Sequence, residues 1–248
     1  MDAWVIAVLS VTALIAGTVD AIAGGGGLIT LPALLTAGLP PHLALGTNKG
    51  QSVWGSGAAM VEFFRAGRID TRQAAFTFPL GLCGSLLGAQ LVLLVDKAAL
   101  RPIVIAMLIG AAVLLLVRKP SRTDDAPARR WIAPALALSI GAYDGFFGPG
   151  TGTFLIVGFV ALCGRSLLHA SADAKVVNFA SNFAAVIVLG YHGYIHWEIA
   201  LPMAGGQLLG GMLGAHFAMR GGDRVVRILV LVVSGALVLK LLVDLLRA

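Results

Sequence analysis

Charged residues are scarce in this chain, and no polar stretch is long enough to fold as a domain outside a membrane. Only 12% of the 248 residues are Asp, Glu, Lys or Arg, against about 25% in an average soluble domain. Hydrophobic residues make up 58% of the sequence, and the mean hydropathy is +0.91. A soluble globule cannot bury that much apolar surface, so the composition predicts an integral membrane protein surrounded by the lipid bilayer.

Cysteine is also scarce, and the signatures of several other protein classes are missing. Cys83 and Cys163 lie in separate apolar segments, which fits neither a disulfide framework nor a metal site. No Lys or Arg precedes the first apolar run, so we expect no cleaved signal peptide. The sequence contains no P-loop lysine and no His/Cys cluster, so we expect neither enzymatic activity nor a bound cofactor. The net charge of +6 comes from residues between apolar runs, and this excludes nucleic acid as a partner.

Apolar segments recur along the whole chain, and many of them are near the length of about 20 apolar residues that a membrane-spanning helix needs. Five segments precede a polar stretch at 118–130, and five follow it. They lie at 3–22, 28–39, 43–64, 74–95 and 98–117, and then at 131–147, 153–163, 170–190, 198–219 and 224–243. The sequence thus predicts an all-α, polytopic transmembrane bundle. Its first repeat covers 1–117, a cytoplasmic linker covers 118–130, and its second repeat covers 131–248.

The two sets of segments share residues as well as lengths, which indicates an internal duplication. The pattern Gly-x-x-Asp-x-x-x-Gly-x-Gly begins at Gly17 and again at Gly141. Further along, Lys49 has a counterpart at Lys175, 126 residues later. Asp and Lys are rare inside apolar segments, so their recurrence in the same order is informative.

Positive charges between the segments predict the orientation of the halves, because Lys and Arg accumulate on the cytoplasmic side. If each short segment spans or forms a hairpin with the segment before it, so that the pair returns to the side it came from, twelve Lys and Arg lie inside and four outside. A rival arrangement joins each long and short segment into one broken crossing. It moves Arg165 and Arg220–Arg227 outside and brings Lys240 and Arg247 inside, which gives ten against six. The first partition predicts inverted repeats in the cell inner membrane with both termini periplasmic, a build known from secondary transporters.

Two glycine-rich stretches interrupt the pattern at matching places, Gly24–Gly27 and Gly148–Gly152. Gly and Pro disfavour a helix by about 1 and about 3 kcal/mol, so both helices should break or re-enter there. Such backbone survives in a membrane only when it is buried or lines a wet cavity. The amides that begin the following short helices would attract an anion. Close helix packing is the alternative interpretation of these glycines.

Lys49 and Lys175 lie deep in apolar segments, where an unpaired charge costs about 2.5 to 3.5 kcal/mol. Asp20, Asp144 and Asp173 are the candidate charge partners or proton carriers. In a structural interpretation, Asp20 pairs with Lys49 and Asp144 with Lys175. In a functional one, a lysine balances a bound anion and an aspartate picks up a proton. The two interpretations are compatible.

The candidate substrate-binding residues combine the glycine-rich backbone, the two lysines and the polar side chains near them, each of which could instead join helices by hydrogen bonds. For His216 we expect an interior polar group rather than a proton relay. The candidates are Gly24, Gly25, Gly26, Gly27, Asn48, Lys49, Gln51, Ser52, Gly148, Gly150, Thr151, Gly152, Lys175, Asn178, Ser181 and Asn182.

Four stretches together resemble the sulfite exporter TauE/SafE family of membrane permeases. They are 20–27 with Leu31-Pro32, 46–49, 148–152 and 174–182. The resemblance covers nearly the whole chain and includes motifs in both halves. It implies transport of sulfur-containing oxyanions such as sulfite or an organosulfonate, in most cases as export.

The sequence as a whole predicts a secondary transporter that exports a small oxyanion by alternating access, with protons as a candidate coupling ion. A passive anion channel would use the same charges without coupling. A membrane scaffold without transport is the third hypothesis, in which the polar residues are all structural.

Overall fold

A computed structural model describes residues 2–96, 99, 100, 103 and 131–247, and of residues 230–247 the backbone only. Within these ranges the chain is helical and contains no strand. The helices are α1 (Ala3–Ala23), α2 (Gly27–Thr36), α3 (Pro41–Arg65), α4 (Thr71–Leu93), α5 (Ile132–Phe146), α6 (Thr151–Cys163), α7 (Leu167–Tyr191) and α8 (Trp197–Arg247). The predicted segment at 98–117 lies almost wholly, and the linker at 118–130 wholly, outside the described residues.

The predicted helical segments are confirmed wherever the structure describes them. Helices α1 to α7 begin and end within three residues of the predicted bounds. The last two predicted segments form α8, which is broken at Gly222 by a positive φ of 57°. Three of the described helices, α1, α4 and α7, are long and apolar enough to cross a membrane. The chain is therefore a helical membrane protein.

Glycine allows two pairs of helices to pack backbone against backbone. A Cβ atom added to Gly210 or Gly214 of α8 would overlap carbonyl oxygens of α1. A Cβ added to Gly84 or Gly88 of α4 would overlap carbonyl oxygens of α5 in the same way. Helix α1 thus packs closely against α8, and α4 against α5, as small residues permit in membrane bundles.

Contacts between loops show which of them share a face of the bundle. Arg165, between α6 and α7, forms an ion pair with Asp70, between α3 and α4. The Asp223 carboxylate accepts a hydrogen bond of 2.9 Å from the Leu168 amide, which adds the α8 break to the same face. The rival arrangement, which separated Arg165 from Arg65, Arg68 and Arg72, is therefore wrong, because Asp70 follows directly on Arg68 and Ile69.

The other ends of the same helices meet at the opposite face. The Thr47 hydroxyl of α3 accepts a hydrogen bond of 3.0 Å from the His196 amide, next to α8. The His42 ring stacks on the Tyr194 ring at a centroid distance of 5.0 Å. Since α3 and α7 each run from one face to the other, their middle portions, which carry Lys49 and Lys175, lie between the two faces.

Candidate functional site

Both glycine-rich stretches break the helical structure, as predicted. Helix α1 ends at Ala23 and α2 begins at Gly27, while α5 ends at Phe146 and α6 begins at Thr151. Gly24, Gly148 and Gly150 have φ angles of 78°, 97° and 85°. This left-handed conformation is open to glycine and strained for other residues, so these turns depend on glycine.

The two breaks contact each other directly. The Thr153 amide of α6 donates to the Gly24 carbonyl at 3.2 Å, and the Thr153 hydroxyl donates to the Ala23 carbonyl at 2.7 Å. A Cβ atom on Gly24 would overlap the backbone of Gly152. Thr153 thereby satisfies carbonyls that the end of α1 leaves without helical partners. The α1–α2 break and the α5–α6 break form one central structure.

Two ion pairs, one buried and one partly buried, cross between the halves. The Lys49 ammonium of α3 lies 2.6 Å from an Asp144 carboxylate oxygen of α5, and the Lys175 ammonium of α7 lies 2.7 Å from an Asp20 carboxylate oxygen of α1. The expected pairing within each half is wrong. The reason is that each broken helix packs beside the long helix of the other half: Ser171 of α7 donates to the Ala21 carbonyl of α1 at 3.1 Å.

The two carboxylates have different surroundings. Asp144 accepts hydrogen bonds from Lys49, from the Thr151 hydroxyl at 2.8 Å and from the Ser181 hydroxyl, and its side chain is only 2% exposed. Asp20 accepts from Lys175 and from the Gly26 amide at 3.1 Å, and its side chain is 19% exposed. Asp20 is therefore the more accessible carboxylate with fewer partners.

A small cavity lies where the breaks and the ion pairs meet, and we call it the central cavity. Its volume is about 20 Å³, enough for about one water molecule. Most of the predicted substrate-binding residues contribute to its wall. The lining residues are Asp20, Gly24, Gly26, Gly27, Asn48, Lys49, Ser52, Asp144, Gly148, Gly152, Asn178, Asn182 and Gln207.

Backbone amides at the starts of the two short helices contribute to this wall. Gly27 and Gly152, in the first turns of α2 and α6, make no amide hydrogen bond to another described residue. The Gly26 amide is already bound by the Asp20 carboxylate. Helix N-termini carry partial positive charge and bind anions through such free amides. The Gly26 amide thus binds the Asp20 carboxylate through the same kind of hydrogen bond that a free amide could donate to an external anion.

Several predicted residues lie behind the wall of the cavity. Thr151 and Ser181 bind the Asp144 carboxylate, and Lys175 binds that of Asp20. The Gln51 side-chain nitrogen Nε2 donates to the Asn48 side-chain oxygen Oδ1 at 3.1 Å and to the Ser52 hydroxyl at 2.9 Å. These residues orient the lining side chains.

Gly25 and Gly150 are absent from the cavity wall. A Cβ on Gly150 would face Phe154 and Leu28.

Asp173 lies apart from the central cavity, contrary to its proposed role there. Its carboxylate accepts from the Asp70 amide at 3.0 Å and from Gln73 at 3.4 Å, and lies 3.5 Å from Arg165. The reason is helical geometry: Asp173 precedes Lys175 by two residues, and side chains at that spacing point to different sides of a helix.

Outside the membrane-spanning segments, Arg165 and Asp70 stabilise each other's charge. The hydrogen bond from Arg165 lowers the pKa of Asp70 below its usual value. Burial lowers the pKa of Arg165, but the hydrogen bond to Asp70 and the nearby carboxylates outweigh burial and raise it. The loop ion pair therefore remains charged at neutral pH.

Sequence reasoning missed two residues of the site and mispredicted the surroundings of His216, which lies outside the site. Neither residue belongs to a recognisable motif. Thr153 is a single hydroxyl residue in an apolar segment, and Gln207 is a single amide residue among glycines and leucines. His216, expected as an interior polar group, lies on the exposed face of α8 beside Phe217. The prediction for His216 is wrong because the contacts of Gly210 and Gly214 turn the other side of α8 toward α1, and His216, two residues after Gly214, points away from it.

Comparisons with known proteins agree along nearly the full length of the chain. The family model "Sulfite exporter TauE/SafE" matches residues 9–241. The chain is 41% identical over 243 residues to "Probable membrane transporter protein ORF9" of Sinorhizobium sp, with 96% of this chain and 93% of the relative covered. It is 38% identical to a "Probable membrane transporter protein" of Haemophilus influenzae, with 96% and 95% covered.

A third relative, "Probable membrane transporter protein YfcA" of Escherichia coli, is 35% identical, with 96% of this chain and 89% of the relative covered. No solved structure matches the chain significantly. The relatives are named as membrane transporters and not as enzymes. On the family match and these identities, the chain belongs to the sulfite exporter TauE/SafE family of membrane transporters.

Proposed function

We propose that this protein is a secondary transporter that exports a small oxyanion, sulfite or an organosulfonate, by alternating access. The observation that supports this most is the central cavity, where two helix breaks, free amides and the Lys49 ammonium converge. Interrupted helices that meet between two halves are a recurring form of transport site.

The charge balance of the site supports proton coupling. Two lysines and two aspartates neutralise each other around the cavity. A monovalent anion would therefore enter as an unbalanced charge, which is costly away from water. Protonation of one aspartate leaves the site with one net positive charge, which balances an anion bound beside Lys49, so the proton and the anion bind together. This electroneutral pair is exported when the outward gradient of the anion exceeds the proton gradient. We assign the proton to Asp20, the more exposed of the two carboxylates.

The volume of the cavity favours a carrier over a passive channel. Space for about one water molecule is too small for an ion with four or more heavy atoms. Binding therefore requires the two breaks to separate, which means that the halves must move. Because the halves also contact each other at both faces of the bundle, opening one face while the other stays closed gives alternating access.

Inverted repeats and an inner-membrane orientation complete the proposal. Equivalent contacts occur twice: Asp144–Lys49 and Asp20–Lys175, and the packing of α8 on α1 and of α4 on α5. Arg65, Arg68 and Arg165 share one face, and the bias of positive charge makes that face cytoplasmic. Both termini then lie in the periplasm.

The test is sulfite flux into liposomes that contain the purified protein. The double variant Lys49→Met/Asp144→Asn removes one ion pair without leaving a buried charge, and we expect it to fold and to lose sulfite flux. Arg65→Ala, at an exposed cation with 74% of its side chain accessible, is the control and should transport normally. Wild-type flux in the double variant would exclude this pair from transport.

Two further results of this assay would favour the alternatives. Flux that neither saturates nor responds to a proton gradient would indicate a channel. An absence of flux for sulfite and organosulfonates alike would favour a scaffold.

A further inference from the structure

The wall of the central cavity includes uncharged side chains that the charge argument leaves without a role, and Gln207 of α8 is one of them. The residue is only 3% exposed, and its carboxamide makes no hydrogen bond to another described residue. Its polar atoms are nevertheless not sealed inside the protein, in contrast to the Gln51 carboxamide oxygen, which is buried without a partner. The Gln207 carboxamide therefore borders the cavity itself.

Glycines hold Gln207 in this position. Its carboxamide oxygen lies 2.7 Å from the point where a Cβ of Gly17 would be. A Cβ on Gly55 would overlap the same oxygen. Gly17 of α1 and Gly55 of α3 thus form a slot that accepts the side chain and fixes its direction. A side chain on either glycine would expel it.

We propose that Gln207 is a ligand of the bound oxyanion and donates its side-chain N–H to one of the oxygen atoms of the anion. This inference rests on the proposed function. A carboxamide supplies two N–H donors without adding charge, and buried polar groups in proteins are nearly always hydrogen-bonded. A bound oxyanion would supply the missing acceptor.

The counterpart of Gln207 in the first half has no such group. At the spacing of 126 residues that relates Lys49 to Lys175, Gln207 corresponds to Gly81, which has no side chain. Gly81 instead packs against Val177 and Gly141. The bound anion is therefore held asymmetrically, with one of its oxygen atoms toward α8.

The test measures the affinity of the purified full-length protein for ethanesulfonate, a monovalent oxyanion, by isothermal titration calorimetry. Gln207→Leu has a similar size without a donor, and we expect its affinity to fall about tenfold or more, the loss of one hydrogen bond to a charged group. Gln90→Leu makes the same substitution on the exposed face of α4 and should bind normally.

The Gln207→Glu variant adds a second readout, the pH dependence of its affinity relative to wild type, which would be absent if the role of Gln207 were merely structural. Its carboxylate repels the anion at about pH 8, whereas the protonated form donates a hydrogen bond as pH falls. The ratio of wild-type to Gln207→Glu affinity should therefore shrink between about pH 8 and about pH 5. If Gln207→Leu does not fold, as judged by size-exclusion chromatography, Gln207→Ala replaces it.

The outcomes separate this inference from the function on which it rests. Wild-type protein that binds neither ethanesulfonate nor sulfite overturns both. Wild-type protein that binds, together with Gln207 variants of equal affinity, overturns only the role of Gln207. A ratio for Gln207→Glu that stays constant with pH also overturns it, because that result is what a structural perturbation produces.

Discussion

The crossed ion pairs make a quantitative prediction about stability. Removal of one member of a buried pair leaves an uncompensated charge and costs about 3–5 kcal/mol. The single variant Lys49→Met leaves the Asp144 carboxylate as an uncompensated buried charge, since the side chains of Lys49 and Asp144 are both only 2% exposed. The double variant Lys49→Met/Asp144→Asn contains no unpaired charge, and we expect its free energy of unfolding to lie within about 1–2 kcal/mol of wild type.

The mismatched double variant Lys49→Met/Asp20→Asn is the decisive comparison. It leaves Asp144 without Lys49 and Lys175 without Asp20, so two buried charges lack partners. We expect it to be the least stable of the set, by about 6 kcal/mol or more relative to the matched variant if the two losses add. Thermal unfolding in detergent, followed by circular dichroism, ranks the variants. A mismatched variant as stable as the matched one would refute the crossed pairing.

Three further predictions concern the turn, the proton and the loop ion pair. Gly24→Ala should destabilise the fold more than Gly38→Ala in the same unfolding assay: both glycines have positive φ, but only Gly24 abuts another backbone. Asp20→Asn should retain sulfite flux but lose its stimulation by an inward proton gradient; persistence of that stimulation would assign the proton elsewhere. Because the pKa of Asp70 is lowered in the fold, its pair with Arg165 stabilises the protein above about pH 4, the unfolded value, and is lost as pH falls through the folded pKa. Asp70→Asn should therefore flatten the acid side of the melting-temperature profile, and an unchanged profile would contradict this.

The helical segments and their interruptions could be predicted because both depend on local sequence. Apolar length sets the span of a helix, and runs of glycine destabilise it wherever they occur. For the same reason Gly24–Gly27 and Gly148–Gly152 indicated the breaks, which the structure contains at those residues. The prediction extended to most of the cavity wall, because the wall is built from these breaks and from the polar residues around Lys49.

The partners of the charged residues could not be predicted in the same way. Whether Asp20 contacts Lys49 or Lys175 depends on which long helix packs beside the end of α1, and this is a tertiary property. Asp173 is a different case, because its spacing of two residues from Lys175 already separates the two side chains on a helix. Gln207 gave no signal, since a single amide in a glycine-rich helix more often joins helices than binds a ligand.

The most direct test of an anion site between the two helix breaks is calorimetric titration of the purified protein with ethanesulfonate in two buffers of different ionisation enthalpy. The account predicts saturable binding, uptake of about one proton per anion, and loss of binding in the Lys49→Met/Asp144→Asn variant. Binding that persists unchanged in that variant, without proton uptake, would contradict it.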